Sequence, residues 1–169
     1  TWFELVTLYA FLCFKNAQVD WAVYEVGLGG RLDATNILRP KLCCITPIEL
    51  EHSEFLGDTI EKVAAEKAGI IKKCTPVIVA KQQSESVKNV FKEKAKENYA
   101  PCYFIDELVN KIEYSFDSNS KSMSILLESP IFDRQIKTNL SLLGSKHAEN
   151  AAMAAVAIKK LFPNMDESV

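Results

Sequence analysis

Three positions in this 169-residue sequence join a reactive side chain to a context that could use it. Glu25 is an acid among apolar residues, and Gly27, Gly29 and Gly30 behind it let a backbone turn sharply and approach a ligand closely. Their G-x-G-G spacing is not the dinucleotide fingerprint, because Leu32 stands where the third glycine belongs. An ordinary turn has the same look, so ligand contact and simple turn both stay open for Glu25. His52, one of two histidines, lies in Glu49-Leu-Glu-His-Ser-Glu54, where carboxylates could help to hold a cation. A solvated loop histidine fits that pattern equally well. Lys67 falls, at 3.6 residues per turn, on the helical stripe of Ile60, Val63, Ala64 and Ile71. A lysine there must snorkel outward, pair with an acid, or lose its charge, and the uncharged amine is the form that reacts.

The elements that would position these residues follow from the pattern of apolar residues and caps. Thr1-x-x-Glu4 is a capping box, and the apolar run behind it predicts a buried helix over Phe3 to Phe14. Short apolar runs predict strands at Trp21–Val26, Leu42–Thr46, Pro76–Ala80 and Ala100–Ile105. Asp58-x-x-Glu61 opens a helix expected to reach Lys72, and Gln83 to Asn98 reads as an exposed amphipathic helix. This alternation predicts an α/β fold with a mostly parallel sheet flanked by helices. Ile112–Phe116, Ser122–Glu128 and Ile131–Thr138 then read as strands with no helix between them, a small antiparallel sheet, with a turn at Asp117–Lys121. Ser145 starts a last helix with Ala151, Ala154, Ala155, Ile158, Leu161 and Phe162 on one face. In an open parallel sheet, ligands bind beyond the carboxyl ends of the strands, where Glu25 and His52 are expected.

The composition agrees with one globular unit: 48% hydrophobic residues can fill a core, and the net charge is −2 with both signs scattered. No block of like charge points to nucleic acid or a membrane surface, and the longest apolar stretch, Leu5 to Phe14, is about half a bilayer span. Five cysteines without C-x-x-C spacing read as small apolar residues in a reducing compartment, and the protein as cytoplasmic.

Val19-Asp-Trp-Ala-Val-Tyr-Glu-Val-Gly-Leu-Gly-Gly-Arg-Leu-Asp-Ala-Thr-Asn36 closely resembles the signature of the folylpolyglutamate synthase/dihydrofolate synthase family of Mur-type ligases. Leu56-Gly-Asp-Thr59, Glu66-Lys-Ala-Gly-Ile-Ile-Lys72 and Leu143-Gly-Ser-Lys-His-Ala-Glu-Asn150 resemble further motifs of that family. The resemblance is dense over residues 1–80 and near 140–155, and a match of pattern only over 81–138. It implies the central domain of an ATP-dependent amide-forming ligase. ATP would phosphorylate a carboxylate of dihydropteroate or a folate, and the amino group of glutamate would displace the phosphate. By the same resemblance, Glu25 and His52 are ligands of Mg2+, Lys67 carries a carbamate, Asn150 and His147 lie on the adenine side, and Asp33 with Arg31 approaches the pterin substrate.

Some positions depart from the family pattern. Glu51 stands where an aspartate is usual, Pro47 and Glu49 replace smaller or neutral residues, and Ala148 replaces a glutamine. No G-x-x-x-x-G-K-[ST] loop occurs in the sequence, and the chain opens on Thr1. The expectation is therefore a single domain over 1–169, a truncated central domain without its phosphate loop or a C-terminal domain, inactive on its own. Two other readings stand beside it. One is a different Mur-type amino-acid ligase, against which the Gly27–Asn36 run argues; the other is a non-catalytic binding module of the same fold.

Overall fold

A computed structural model describes residues 1–117 and 121–165. The chain runs through helix α1 (Trp2–Ala17), a 3-10 turn (Ala34–Ile37), strand β1 (Cys43–Ile45), short helix α2 (Ser53–Leu56), and helix α3 (Ile60–Ala68). Strand β2 (Val77–Val79), helix α4 (Glu85–Glu97), strand β3 (Cys102–Phe104) and the single turn α5 (Ile105–Leu108) follow. Strands β4 (Lys111–Asp117), β5 (Ser122–Glu128) and β6 (Ile136–Leu140) precede the last helix, α6 (Ser145–Leu161). β1, β2 and β3 form a parallel sheet in that order, and β4, β5 and β6 an antiparallel one. The expected α/β class is thus present, with three strands in each sheet.

The central strand β2 organises the core because it is buried on both faces. Val77 and Val79 point to one side, where α3 and α4 bring Val63, Ala64, Val87, Phe91 and Ala95. Ile78 points to the other, where α6 and the antiparallel sheet bring Ala152, Val156, Met123, Ile125 and Leu127. Alternation along a pleated strand gives this division, and each buried branched side chain contributes about 1.5–3 kcal/mol. Cys43 and Cys44 divide in the same way, the first buried and the second exposed.

Several expectations are corrected. The Thr1 capping box is present, but α1 is not buried: Thr7 alone among its residues is, and Trp2, Leu5, Leu8 and Tyr9 are more than half exposed. Its inner side packs Phe11 and Phe14 edge-on against Tyr24, and the described residues bring nothing to the outer side. Trp21–Val26 is not a strand. It has no ladder partner among the described residues, and a strand exists only through its pairing. The third antiparallel strand begins at Ile136 rather than Ile131, because residues 129–135 are spent on a turn in which the Ser129 hydroxyl accepts from the Ile131 N–H. The turn expected at Asp117–Lys121 falls partly outside the described residues, at Ser118, Asn119 and Ser120.

Helix ends shift as well. Thr59, not Asp58, caps α3 by accepting the Lys62 N–H at 3.3 Å, while Asp58 pairs with the Lys62 ammonium; the helix stops at Ala68 before Gly69. α6 buries Ala148, Ala152, Met153, Val156 and Ala157, and leaves Ala154 and Ile158 of the expected face exposed. It is apolar on two sides: Ala148, Ala152, Met153, Val156 and Ala157 enter the core, and Ala151 and Ala155 of the expected face are partly buried beside them.

Candidate functional site

The site is built from two segments far apart in sequence. Residues 27–36 fold into a compact loop around the Asp33 carboxylate. One of its oxygens accepts the N–H groups of Gly27 and Leu28, each at 3.0 Å; the other accepts the Thr35 N–H at 2.9 Å and the Thr35 hydroxyl at 2.6 Å. Four hydrogen bonds match the acceptor capacity of a carboxylate. Burial would raise the Asp33 pKa, but the Thr35 hydroxyl and the three backbone N–H groups outweigh it and hold the carboxyl below its ordinary value.

This loop is docked on the C-terminal end of α3. The Arg31 N–H donates to the Glu66 carbonyl at 2.8 Å, and the Arg31 guanidinium pairs with the Glu66 carboxylate at 3.0 Å. The Asn36 amide donates to the Arg31 and Gly69 carbonyls, and the Lys72 ammonium to the Asn36 carbonyl at 2.7 Å. The approach is as close as backbones allow. A Cβ on Gly69 would lie 2.5 Å from the Arg31 Cα, and one on Gly30 would lie 2.8 Å from the Glu66 carbonyl oxygen and 3.1 Å from the Lys67 Cα. Glycine on both sides of the contact is what lets the two segments meet.

Lys67 sits at this junction, half-buried on α3 beside the buried Val63, Ala64 and Ala68, with no ion-pair partner among the described residues. Glu25 precedes the loop by two residues and is exposed, while its neighbour Tyr24 is anchored against α1. His52 is exposed too, with a left-handed backbone (φ 52°), and its carbonyl accepts the Phe55 and Leu56 N–H groups that begin α2. The loop leading to His52 is joined to the start of α6 by an ion pair between Lys146 and Glu49 at 3.0 Å. His147, half-buried, and Asn150, exposed, lie three residues apart in the first turns of α6 and so share a face.

The structure thus sets the loop that contains Arg31 and Asp33 against α3 at Glu66 and Lys67, and joins the His52 loop to the helix that carries His147 and Asn150. Arg31 and Asp33, expected to approach a substrate, lie in the 27–36 loop, where the Arg31 Nε pairs with Glu66 and the Asp33 carboxylate holds the loop itself. Sequence reading also passed over Gln82, a buried side chain that joins the ends of β1 and β2; the signal for it was Pro47, a residue without an N–H where the ladder would continue.

Magnesium favours hard oxygen donors and takes one or two groups from a protein, leaving its other positions to water and phosphate. The carboxylate of Glu25 is of that chemistry, and the imidazole of His52 could offer a nitrogen donor. No group of three His, Cys, Asp or Glu side chains able to hold a metal is found among the described residues, so a cation here would take most of its ligands from elsewhere.

Residues 3–158 match the family described as the Mur ligase middle domain. The chain is 36% identical over 162 residues to the dihydrofolate synthase/folylpolyglutamate synthase of Bacillus subtilis, covering 95% of this chain and 37% of that protein. Its fold superposes on the Mycobacterium tuberculosis folylpolyglutamate synthase complexed with ADP with a TM-score of 0.81 at 31% identity, covering 98% of this chain and 37% of that one. An FPGS in complex with AMPPCP and folate gives a TM-score of 0.83 at 31% identity, over 93% of this chain and 37% of that one. The chain therefore spans a little over a third of the length of these relatives.

Proposed function

The chain belongs to the Mur ligase middle-domain family, and from that premise we propose that it forms the central part of an ATP-dependent ligase joining glutamate to dihydropteroate or to folates. The observation that carries this reading is the docking of the 27–36 loop on α3 at Glu66–Gly69, which unites the two segments richest in family signature around Lys67. Relatives bound to ADP, or to AMPPCP and folate, support ATP and a folate-type acceptor as the small-molecule substrates.

In the proposed reaction ATP phosphorylates the acceptor's carboxylate, and the glutamate amine attacks the acyl phosphate, leaving an amide, ADP and phosphate. Glu25 and His52 would hold Mg2+, which when bound supplies positive charge against the transferring phosphoryl group. The Asp33 loop fixes the backbone two residues beyond Glu25 and so limits where that carboxylate can reach. Arg31 locks the loop to Glu66, next to Lys67. Lys67 would take up CO2 through its uncharged amine, losing a proton and becoming an anionic carbamate at the junction. His147 and Asn150 would line the adenine side from one face of α6. The 169 residues would form one such unit; their five free thiols suit a reducing compartment, which supports a cytoplasmic location, and no turnover is expected of them alone because they contain no phosphate-cradling Gly-Lys-[Ser/Thr] loop.

The test is an assay of the complete protein that contains this chain. ADP release should require Mg2+, glutamate and either dihydropteroate or a reduced folate together. ADP release that ignores both acceptors, or that responds instead to a cell-wall precursor, would overturn the proposal.

A further inference from the structure

Gln82 is buried, 6% exposed, and its side-chain amide makes two hydrogen bonds, one accepted and one donated. Its Oε1 accepts the Ile48 N–H at 3.1 Å, and its Nε2 donates to the Ala80 carbonyl at 2.8 Å. Both partners belong to neighbouring parallel strands just past their regular ends. The β1–β2 register pairs Ile45 with Val79, and the ladder's last bond runs from the Ala80 N–H to the Ile45 carbonyl at 2.8 Å. In that register the next donor, to the Ala80 carbonyl, would be the N–H of residue 47. Residue 47 is proline and has none. The Ala80 carbonyl and the Ile48 N–H, on residues 6% and 1% exposed, would then both be buried without partners.

We propose that Gln82 is a positioning residue for the loop that carries His52: its amide stands in for the peptide group that Pro47 removes, carries the β1–β2 ladder one rung further, and so fixes the departure of residues 48–52. The loop is held at two points. Gln82 holds Ile48 from inside the sheet, and Lys146 holds Glu49 from the start of α6. Between these anchors and α2 lie Leu50, Glu51 and His52, the last already confined to a left-handed backbone. Releasing Ile48 therefore frees the approach of His52 to its site. The effect on catalysis rests on the proposed part of His52 in holding Mg2+.

The primary measurement uses the 169-residue chain. In the wild type, NMR should detect a scalar coupling across the hydrogen bond from the Ile48 amide to the Gln82 side-chain carbonyl. Gln82→Met keeps length and apolar bulk but neither hydrogen bond. It should speed exchange of the Ile48 amide by at least tenfold and shift the His52 ring resonances. Gln82→Glu retains the acceptor for Ile48 and should hold that amide nearer to wild type. In the complete enzyme, Gln82→Met should raise the Mg2+ concentration needed for half-maximal rate about tenfold while kcat at saturating Mg2+ falls much less. A merely structural amide would lower the melting temperature but leave the His52 ring shifts and the Mg2+ requirement unchanged, and that result would overturn the proposal. Absence of the coupling in the wild type would overturn it even where Gln82→Met fails to fold. A wild-type enzyme without Mg2+-dependent glutamate ligation would remove the proposed function and leave the amide's positioning of the loop standing.

Discussion

Asp33 shows how a charged residue in a signature motif can act through its own backbone. With both oxygens occupied by Gly27, Leu28 and Thr35, an amide in its place cannot accept from all four donors, so Asp33→Asn should cost about 1–2 kcal/mol at pH 7. The carboxyl is held below its ordinary value in the folded chain. Its contribution is therefore complete above the unfolded value of about 3.9 and is lost as pH falls through the lower folded value. Urea unfolding of wild type and Asp33→Asn from pH 7 down to pH 3 should show the difference shrinking only below about pH 4. A difference that is constant across that range would mean that the carboxylate charge plays no part. Lys67 calls for the opposite kind of test, one of chemistry rather than stability. Half-buried on α3, it can be replaced by Met with its stem packing retained. If it acts as a carbamate, Lys67→Met in the complete enzyme should lose on the order of 100-fold in kcat with little change in melting temperature. A short carboxylic acid should restore part of the loss in Lys67→Ala. Near-normal turnover of Lys67→Met would end the carbamate proposal.

The contact between the 27–36 loop and α3 depends on two backbones approaching where a methyl group would not fit. Gly69 caps α3 with φ −60°, a conformation that alanine adopts freely, and helix propensity alone would favour alanine by about 1 kcal/mol. The Cβ would nevertheless meet the Arg31 Cα and Cβ, each at 2.5 Å, and a main-chain atom cannot turn aside as a side-chain tip can. The clash should win, with Gly69→Ala costing about 1–3 kcal/mol in thermal or urea unfolding. An unchanged or raised melting temperature would show that the loop undocks cheaply. The existence of α3 and α4 was legible in the sequence because an amphipathic pattern is a local signal, but their caps were not: the start of α3 was read at Asp58, and no cap was read for α4. α3 starts after Thr59 and α4 after Ser84, each with its hydroxyl accepting from the third residue of the helix. The strand expected at Trp21–Val26 failed for the complementary reason. Apolar composition records a tendency to be buried, but whether a neighbour offers N–H and C=O groups is settled elsewhere in the chain.

At the scale of the whole molecule, the two cores on either side of β2 contrast with α1, whose outward residues meet no partner among the described residues. Leu5 is 64% exposed and Leu12 49%. Apolar surface of this extent should bind a hydrophobic reporter dye, and Leu5→Lys with Leu12→Lys should reduce that fluorescence while changing stability by less than about 0.5 kcal/mol each. Dye binding that the pair of substitutions leaves untouched would place the reactive surface elsewhere. Local pattern in the sequence was enough for the α/β class, the three short parallel strands, β5, the existence of both helices over the sheet, and the resemblance that names the family. Those properties rest on periodicity and motif spacing, which act over a few residues. The engagement of Asp33 by its loop, the meeting of Gly30 with Glu66, the buried side of α6 and the use of Gln82 as a surrogate peptide were decided only by the tertiary structure. Each depends on atoms separated by tens of residues, or on how many hydrogen bonds a group already makes, and neither quantity is carried by the spacing of residues along the chain.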